Sequence, residues 1–352
     1  MTRAEILRLF CFGFDGHRVP DHTREQVRAG LRAVILFARN LRDPEQVCRL
    51  NGDLAGAGAR LIGVDQEGGR VVRLPPPFSL PPPAAAVGAW DDPPRARRLA
   101  AAIGAELRAA GFTWNTVPVL DIHTNPANPV IGDRAYGADP ALVARTAIAV
   151  MRGFADAGIL TTGKHFPGHG DSGTDSHHTL PICSQAAARW DAVELLPFRE
   201  AIRAGIPALM VAHLQCPALD AAAPTSLSHT VITDLLRRRL GFAGLVVSDD
   251  LEMAAIAGRG DVGEAAVRFL EAGGDLILIC RRRDYQEQAV EAVEAAVRTG
   301  RLPAGRLKAS LDRLAAIEHS LPAPAANPER LGGLLADARH AAAARGSEGW
   351  DS

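Results

Sequence analysis

The segment from Lys164 to Pro181 holds the densest set of reactive side chains in the sequence: four histidines, two aspartates, a lysine and three glycines within eighteen residues. Its glycines permit positive φ, so such a loop can move while it carries reactive groups. Asp175 stands two residues before His177, close enough in a bent loop to accept a hydrogen bond from the ring. That bond would fix the imidazole tautomer and raise the basicity of its other nitrogen, which makes His177 a candidate general acid/base.

Two alternatives exist for the Lys164–Pro181 loop. Histidine and aspartate are common zinc ligands, but their spacing here matches no HExxH or related metal motif. We therefore expect no metal. A loop that is merely polar and solvated is the second alternative, and the density of reactive groups favours catalysis over it.

A second candidate element is the apolar run that ends in Ser248-Asp249-Asp250. Successive residues of a strand point to opposite sides, so we expect one carboxylate to face the site and the other to be turned into surrounding structure. Capping of the next helix is the alternative role for Asp250. A carboxylate nucleophile and a protonatable partner on another loop are what retaining glycoside hydrolysis requires. A pair of His177 and Asp175 would replace the usual second carboxyl group.

The strands and helices that must position these residues alternate regularly along the chain. This alternation predicts a single α/β domain of the (β/α)8 TIM-like barrel type. A doubly wound sheet more often has fewer strands and a glycine-rich phosphate turn, and neither GxGxxG nor a Walker loop follows any of these strands. The predicted strands are Leu9–Phe14, Ala33–Phe37, Arg60–Asp65, Trp114–Ile122, Ile159–His165, Ala208–His213, Leu245–Asp250 and Asp275–Cys280. Helical spacing covers Arg97–Ala110, Ala141–Ala157, Ala186–Ala204, Val231–Leu240 and Gly263–Ala272.

Polar residues follow several of these strands, and in a barrel such positions converge on one face. We assign residues 1–321 to the catalytic barrel and 322–352 to a short C-terminal appendage, partly helical or disordered, without chemistry. The proline-rich segment 74–83 is expected to be a stiff loop after the third strand, because proline removes backbone donors and fixes φ.

Composition excludes several classes of protein. The 352 residues are 47% hydrophobic and 22% charged, too apolar for intrinsic disorder. Lys and Arg total 39 against 40 Asp and Glu, so no global field attracts nucleic acid or a membrane. The five cysteines are widely spaced and odd in number, no apolar run is long enough to cross a bilayer, and no secretory leader is evident. We therefore expect a cytoplasmic protein; the sequence does not indicate an oligomeric state.

Four motifs resemble, in order and spacing, the β-N-acetylglucosaminidases of glycoside hydrolase family three, in particular the cytoplasmic peptidoglycan-recycling branch. They are Val64–Arg73, Val130–Gly137, the Lys164–Pro181 loop and Ser248–Met253, within a resemblance that covers about residues 5–320. The resemblance implies a retaining exo-hydrolase whose partner is a small carbohydrate, a muropeptide or oligosaccharide containing N-acetylglucosamine. It implies no metal or organic cofactor.

The same resemblance implies a role for each matching residue. Asp249 corresponds to the catalytic nucleophile, and His177 to the general acid/base with Asp175 as its dyad partner. The positions that hold the sugar are Asp65, Arg73, Arg134, Lys164 and His165. These residue types suit the task because a carboxylate accepts from pyranose hydroxyls while Arg and Lys donate. Structural ion pairs with Asp133 or Asp65 are the alternative for Arg134 and Lys164, and we expect His213, Asp121 and Asp171 to support the site rather than touch the sugar.

Other activities stay open at this stage. Family relatives hydrolyse chitooligosaccharides, and some members with a histidine acid/base use phosphate as the acceptor, since a histidine avoids the repulsion that a second carboxylate would present to phosphate. A β-glucosidase of the family generally has an additional domain that supplies a carboxylic acid. A non-catalytic sugar-binding barrel would lack the nucleophile or the dyad, yet Asp249, Asp175 and His177 are all present.

Overall fold

The computed structural model describes residues 1–174, 179–258 and 260–346, so Asp175 and His177 lie outside the described residues. Eight parallel strands close into a barrel in chain order, β1 to β8, with β8 paired to β1. This confirms the predicted (β/α)8 fold. The strands are β1 Phe10–Phe12, β2 Ala33–Leu36, β3 Leu61–Val64, β4 Trp114–Asn115, β5 Leu160–Phe166, β6 Ala208–Val211, β7 Leu245–Asp250 and β8 Leu276–Ile279.

All eight predicted strands are present, but β4 is much shorter than the predicted Trp114–Ile122. Pro118 has no backbone N–H to donate, which interrupts a regular ladder. The chain stays beside β5 nevertheless, because Lys164 donates its backbone N–H to the Pro118 carbonyl at 3.0 Å and accepts from Leu120 N at 2.6 Å. The stretch after β4 therefore supplies buried side chains to the site without being a strand.

Helices connect and surround the strands. The described residues contain fourteen α-helices: α1 Arg3–Leu7, α2 Asp21–Ala29, α3 Pro44–Ala57, α4 Ala84–Ala89, α5 Pro93–Ala109, α6 Pro140–Asp156, α7 Ala187–Arg189, α8 Leu196–Arg203, α9 Ala254–Ala257, α10 Val262–Ala272, α11 Arg283–Arg298, α12 Ala304–Ser320, α13 Pro328–Ala336 and α14 Ala338–Ala344. Two further segments, Trp190–Glu194 and Thr230–Arg239, are π-helical. Short 3₁₀ turns occur at Ala38–Asn40, Gly132–Arg134 and Thr225–Leu227.

An Asp-Pro pair starts three of the longest helices, α3, α5 and α6. The aspartates Asp43, Asp92 and Asp139 accept hydrogen bonds from first-turn backbone N–H groups, and the following proline is already in a helical φ. These caps fix the point at which each preceding loop ends. The loops therefore return to the barrel at defined positions.

The barrel interior is closely packed. Trp114 is fully buried and lies over Gly63, where an added Cβ would sit 2.6 Å from the indole ring. Its Nε1 donates to Thr162 Oγ1 at 2.8 Å. These contacts fill the barrel interior around Trp114.

Segment 74–83 contains neither helix nor strand, as predicted. Beyond residue 321, α13 and α14 pack against the barrel: Asn327 donates its backbone N–H to the Ala109 carbonyl at 2.8 Å, and His340 Nε2 lies 2.9 Å from Glu106 Oε1. Among the described residues, no helix combines the length and apolarity needed to cross a membrane.

Candidate active site

A cavity of about 280 Å³ opens at the carboxyl ends of the strands. It brings together six of the eight predicted site residues, namely Asp65, Arg73, Arg134, Lys164, His165 and Asp249. Glu67, Arg70, His169 and Asp250 add further polar lining, and Ile35, Phe37, Met210, Met253, Leu278 and Cys280 supply apolar walls. The other two predicted site residues, Asp175 and His177, lie outside the described residues.

Lys164, at the centre of the polar wall, is only 3% exposed. Its Nζ lies 2.8 Å from Asp65 Oδ1 and 2.6 Å from Glu67 Oε1, and it donates to Thr116 Oγ1 at 3.1 Å. Burial lowers the pKa of Lys164, but the charges of Asp65 and Glu67 outweigh burial and raise it. The ammonium is therefore a fixed cation in this cavity.

Arg70 and His169 line the cavity although the sequence analysis assigned them no role. The same holds for Glu67, which has the strongest contacts of the three. Its carboxylate receives two hydrogen bonds from Arg134, Nε to Oε2 and Nη2 to Oε1, both at 2.8 Å. The side chains of Glu67 and Arg134 are 5% and 12% exposed. A usable signal was present, because Asp65 and Glu67 stand two residues apart after β3, and such residues share a side of an extended chain.

The pKa values of both carboxylates fall. Burial raises the pKa of Glu67, but the charges of Lys164 and Arg134 outweigh burial and bring it to about 2. Burial is likewise outweighed at Asp65, where Lys164 and Arg73 hold the pKa well below its usual range. Both groups are therefore anionic hydrogen-bond acceptors at any physiological pH.

Arg73 completes this wall. Its Nη2 lies 3.8 Å from Asp65 Oδ2, and its guanidinium sits 5.9 Å from the centre of the Phe37 ring. Gln66 Oε1 accepts the backbone N–H of Arg73 at 2.9 Å, which links the two ends of the loop segment that follows β3. The Nε of Arg73 is buried and has no hydrogen-bond partner among the residues that the structure describes.

His165 is held by Asp121, as expected for a residue that supports the site. Asp121 Oδ2 lies 2.6 Å from His165 Nδ1, while Oδ1 accepts the backbone N–H groups of His165 and His169 at 3.2 and 2.7 Å. Burial raises the pKa of Asp121, but the interaction with His165 outweighs it and the pKa falls. This network leaves His165 Nε2 near Arg134 Nη2, at 3.5 Å. Burial, and next the charge of His165, lower the pKa of His169 to about 4, so that ring is neutral.

On the opposite wall, β7 ends in Asp249 and Asp250. Strand alternation predicts that only one faces the cavity, but both line it. Asp249 Oδ1 accepts the backbone N–H of Asp250 at 2.9 Å. Asp250 Oδ1 accepts from the backbone N–H groups of Glu252 and Cys280 at 3.1 and 3.2 Å. Burial, together with the charge of Glu252, raises the pKa of Asp250 to about 7.

His213 supports this wall from below, as expected. It is fully buried, with Nε2 3.1 Å from the Asp250 carbonyl and Nδ1 2.7 Å from Ser226 Oγ. A carbonyl oxygen can only accept, so Nε2 carries a proton. The imidazole therefore fixes the backbone at the end of β7.

Two alternative roles are not observed. Arg134 pairs with Glu67 and not with its neighbour Asp133, which instead binds Arg70 Nε at 2.9 Å. Asp250 does not cap a helix, because α9 starts after Met253. The alternative ion pair between Lys164 and Asp65 is present, but it lies inside the cavity. Among residues 1–174, 179–258 and 260–346, no cluster of His, Cys, Asp or Glu could hold a metal ion.

Comparison with known families identifies the chain. The model of the glycosyl hydrolase family 3 N-terminal domain matches residues 4–317. The chain belongs to glycosyl hydrolase family 3. It is therefore a glycoside hydrolase, and the cavity described above lies within the matched region.

Individual relatives agree with this assignment. A β-hexosaminidase from Thiobacillus denitrificans is 42% identical over 269 residues, which cover 74% of each chain. The structure of a family 3 β-N-acetylglucosaminidase from Paenibacillus is 44% identical with a TM-score of 0.89, covering 91% of this chain and 62% of that one. The structure of NagZ from Neisseria gonorrhoeae with N-trifluoroacetyl-D-glucosamine is 29% identical, with a TM-score of 0.79 and 96% of both chains covered.

Proposed function

We propose that this family 3 hydrolase is a retaining exo-β-N-acetylglucosaminidase that removes terminal N-acetylglucosamine from peptidoglycan-derived muropeptides. The observation that carries the proposal is one cavity with a dense set of charged, hydrogen-bonding groups on one wall and Asp249 on the other. A pyranose held by Asp65, Arg134 and Lys164 would share that cavity with the carboxylate. Such fixed proximity is what nucleophilic attack at an anomeric carbon needs.

The relatives support the N-acetyl specificity. The Paenibacillus enzyme is a β-N-acetylglucosaminidase, and the Neisseria protein binds an N-acylated glucosamine. The muropeptide aglycone and the recycling role rest on the resemblance of the sequence motifs. A cytoplasmic location is part of the proposal, and the five cysteines, all buried free thiols, are in keeping with it.

The proposed reaction has two steps. Asp249 attacks the anomeric carbon while protonated His177 donates its proton to the departing glycosidic oxygen, which leaves a glycosyl-aspartate and an alcohol. Neutral His177 then takes a proton from water as that water displaces Asp249, so the configuration is retained overall. Asp175 would accept a hydrogen bond from the other ring nitrogen and keep the reactive nitrogen basic.

The organisation of the chain is also proposed. Residues 1–321 would form the catalytic barrel, and residues 322–352 an appendage without catalytic groups. The helices α13 and α14 lie outside the barrel against α5, away from the cavity-lining residues.

The deciding experiment compares a chromogenic N-acetyl-β-glucosaminide with the matching β-glucoside, with and without phosphate, after treatment with a chelator. We expect cleavage confined to the N-acetyl substrate and unaffected by chelation. Preference for the glucoside would contradict the proposed specificity. Sugar phosphate as the product would make the enzyme a phosphorylase, and cleavage lost with the chelator would contradict a metal-free mechanism.

Two variants test the assigned roles. Asp249→Ala should lower kcat by roughly 10⁴-fold or more, as loss of a nucleophile does elsewhere. His177→Ala should impair substrates with poor leaving groups most, since acid assistance matters little for an acidic phenol. Equal losses on both kinds of substrate would contradict an acid/base role. Asp133→Asn, at an exposed carboxylate beside the site, serves as the control.

A further inference from the structure

We propose that Glu67 is a positioning residue that fixes Arg134 and Lys164 in the orientation in which they bind the sugar. The inference rests on the proposed sugar-binding role of those two cations. It adds to the site a buried carboxylate on which two of the predicted sugar contacts, those of Arg134 and Lys164, depend.

The contacts of Glu67 use both of its oxygens. Oε1 lies 2.8 Å from Arg134 Nη2 and 2.6 Å from Lys164 Nζ, and Oε2 lies 2.8 Å from Arg134 Nε. A bidentate pair of this kind fixes the plane of a guanidinium as well as its distance. Arg134 and Lys164 come from different elements, the 3₁₀ turn Gly132–Arg134 and β5. Glu67 is thus the common contact that aligns two separate parts of the chain.

The backbone around Glu67 is fixed as well. Its N–H donates to the Val71 carbonyl at 3.0 Å, which closes a tight turn. Within that turn Gly68 has φ +119°, and an added Cβ would lie 2.3 Å from the carbonyl oxygen of Pro82. Only glycine fits this contact. The turn is therefore wedged against the proline-rich segment 74–83, so the Glu67 side chain starts from a fixed position.

An apolar pocket lies behind Glu67. Val87, Leu99, Ile103 and Phe154 line it together with Glu67, and burial and the charge of Glu67 raise the pKa of the neighbouring Tyr136. Ion pairs at a low-dielectric boundary are stronger than in water, and an unpaired carboxylate there is costly. The apolar backing therefore favours the arrangement in which Glu67 stays bound to both cations.

The test is Glu67→Gln, which keeps the side chain's shape and removes its charge. Glutamine has only one acceptor oxygen, so it cannot accept from Arg134 Nε, Arg134 Nη2 and Lys164 Nζ at the same time. We expect kcat/KM to fall about 10²-fold, the cost of misplacing binding groups by about 1 Å, with KM raised. The assay uses whichever chromogenic glycoside the wild type prefers, so failure of the proposed specificity and failure of this inference give different results.

A double-mutant cycle with Arg134→Lys separates positioning from a purely structural role. If Glu67 acts through Arg134, the double variant should lose little more than Arg134→Lys alone. A folded Glu67→Gln protein with wild-type kcat/KM, or strictly additive losses, would overturn the inference. The control Glu264→Gln removes a carboxylate from an exposed arginine pair outside the cavity and should change kcat/KM less than 2-fold, roughly the noise expected of an exposed pair.

If Glu67→Gln does not fold, Glu67→Asp supplies the same test. Aspartate keeps the charge but is one methylene shorter, so it cannot reach Arg134 in the bidentate geometry. We expect at least a 10-fold loss of kcat/KM, roughly what a lost charged hydrogen bond costs. Wild-type kcat/KM in Glu67→Asp would overturn the inference equally.

Discussion

The two walls of the cavity shift the pKa values of their buried carboxylates in opposite directions. On one wall an ion-pair cluster of Asp65, Glu67, Arg134 and Lys164 surrounds the carboxylates with cations, and the pKa of Glu67 falls to about 2. On the other wall Asp250 stands beside further carboxylates, and its pKa rises to about 7. Both groups line the same cavity. The sign of the neighbouring charge therefore decides the direction, because burial raises the pKa in both cases.

The difference suits the two proposed tasks. The proposed binding of a sugar requires acceptors and donors whose charges do not change with pH, and the opposite charges within the ion-pair cluster keep each group ionised. The proposed nucleophile, Asp249, must be an anion to attack, and protonation of Asp250 near neutral pH limits the negative charge that accumulates beside it. Like charges at close range disfavour a second ionisation. The same cavity thus combines one wall whose carboxylates stay charged with another on which Asp250 titrates near neutral pH.

The largest expected effect on stability comes from removing the cation shared by the cluster. Lys164→Met leaves Asp65 and Glu67 buried with one cation fewer, and breaking such a site costs about 3–5 kcal/mol. Chemical denaturation at pH 7 measures the loss, and Lys308→Met, which removes an exposed lysine paired to Asp312, is the matched control. A loss no larger than that of Lys308→Met would show that the cluster does not depend on Lys164.

The loss should shrink in acid. The pKa values of Asp65 and Glu67 are lowered in the folded state, so their stabilising contribution is complete above about pH 4.5, the ordinary pKa range of these groups. It disappears as the pH falls towards 2. A difference between wild type and Lys164→Met that stays constant from pH 7 to pH 3 would contradict the charge argument.

Asp250→Asn should stabilise the folded protein, whereas Lys164→Met should destabilise it. Because the folded pKa of Asp250 is about 7 against an ordinary 3.8, the folded protein binds more protons than the unfolded chain between those values. Stability therefore falls as the pH rises from about 4 to about 7. Asparagine keeps the oxygen that accepts from Glu252 and Cys280, so the variant should be more stable than the wild type by roughly 4 kcal/mol at pH 8. Denaturation curves from pH 4 to pH 9 measure this, and parallel pH profiles for wild type and variant would contradict it.

The barrel could be predicted because each strand is a short apolar run that ends in polar residues. Parallel strands buried on both faces have this pattern in any barrel. Strand length was less predictable: Trp114–Ile122 is apolar enough for a long strand, yet Pro118 stops the ladder after Asn115. A local backbone requirement overrode the hydrophobic pattern there.

The sequence was enough to predict several of the single residues that line the cavity. It was not enough to predict which of the charged residues pair with one another. Asp65, Lys164 and Asp249 stand at strand ends, and the structure places them in one cavity. The partner of Arg134 is 67 positions away at Glu67, whereas the alternative considered from the sequence was an ion pair with Asp133 or Asp65. Only the closed barrel brings the loop after β3 beside the turn at Gly132–Arg134, so this pairing follows from tertiary structure.

The smallest effect is expected at an exposed ion pair that has the same bidentate geometry as the buried pair of Arg134 and Glu67. Arg301 donates to both oxygens of Glu264 at 2.7 Å, much as Arg134 does to Glu67, but these side chains are 42% and 47% exposed. Glu264→Gln should therefore cost no more than about 0.5 kcal/mol in denaturation and leave kcat/KM unchanged, because water replaces the lost partner. A cost as large as that of Lys164→Met would mean that bidentate geometry, and not burial, gives the ion-pair cluster its stability.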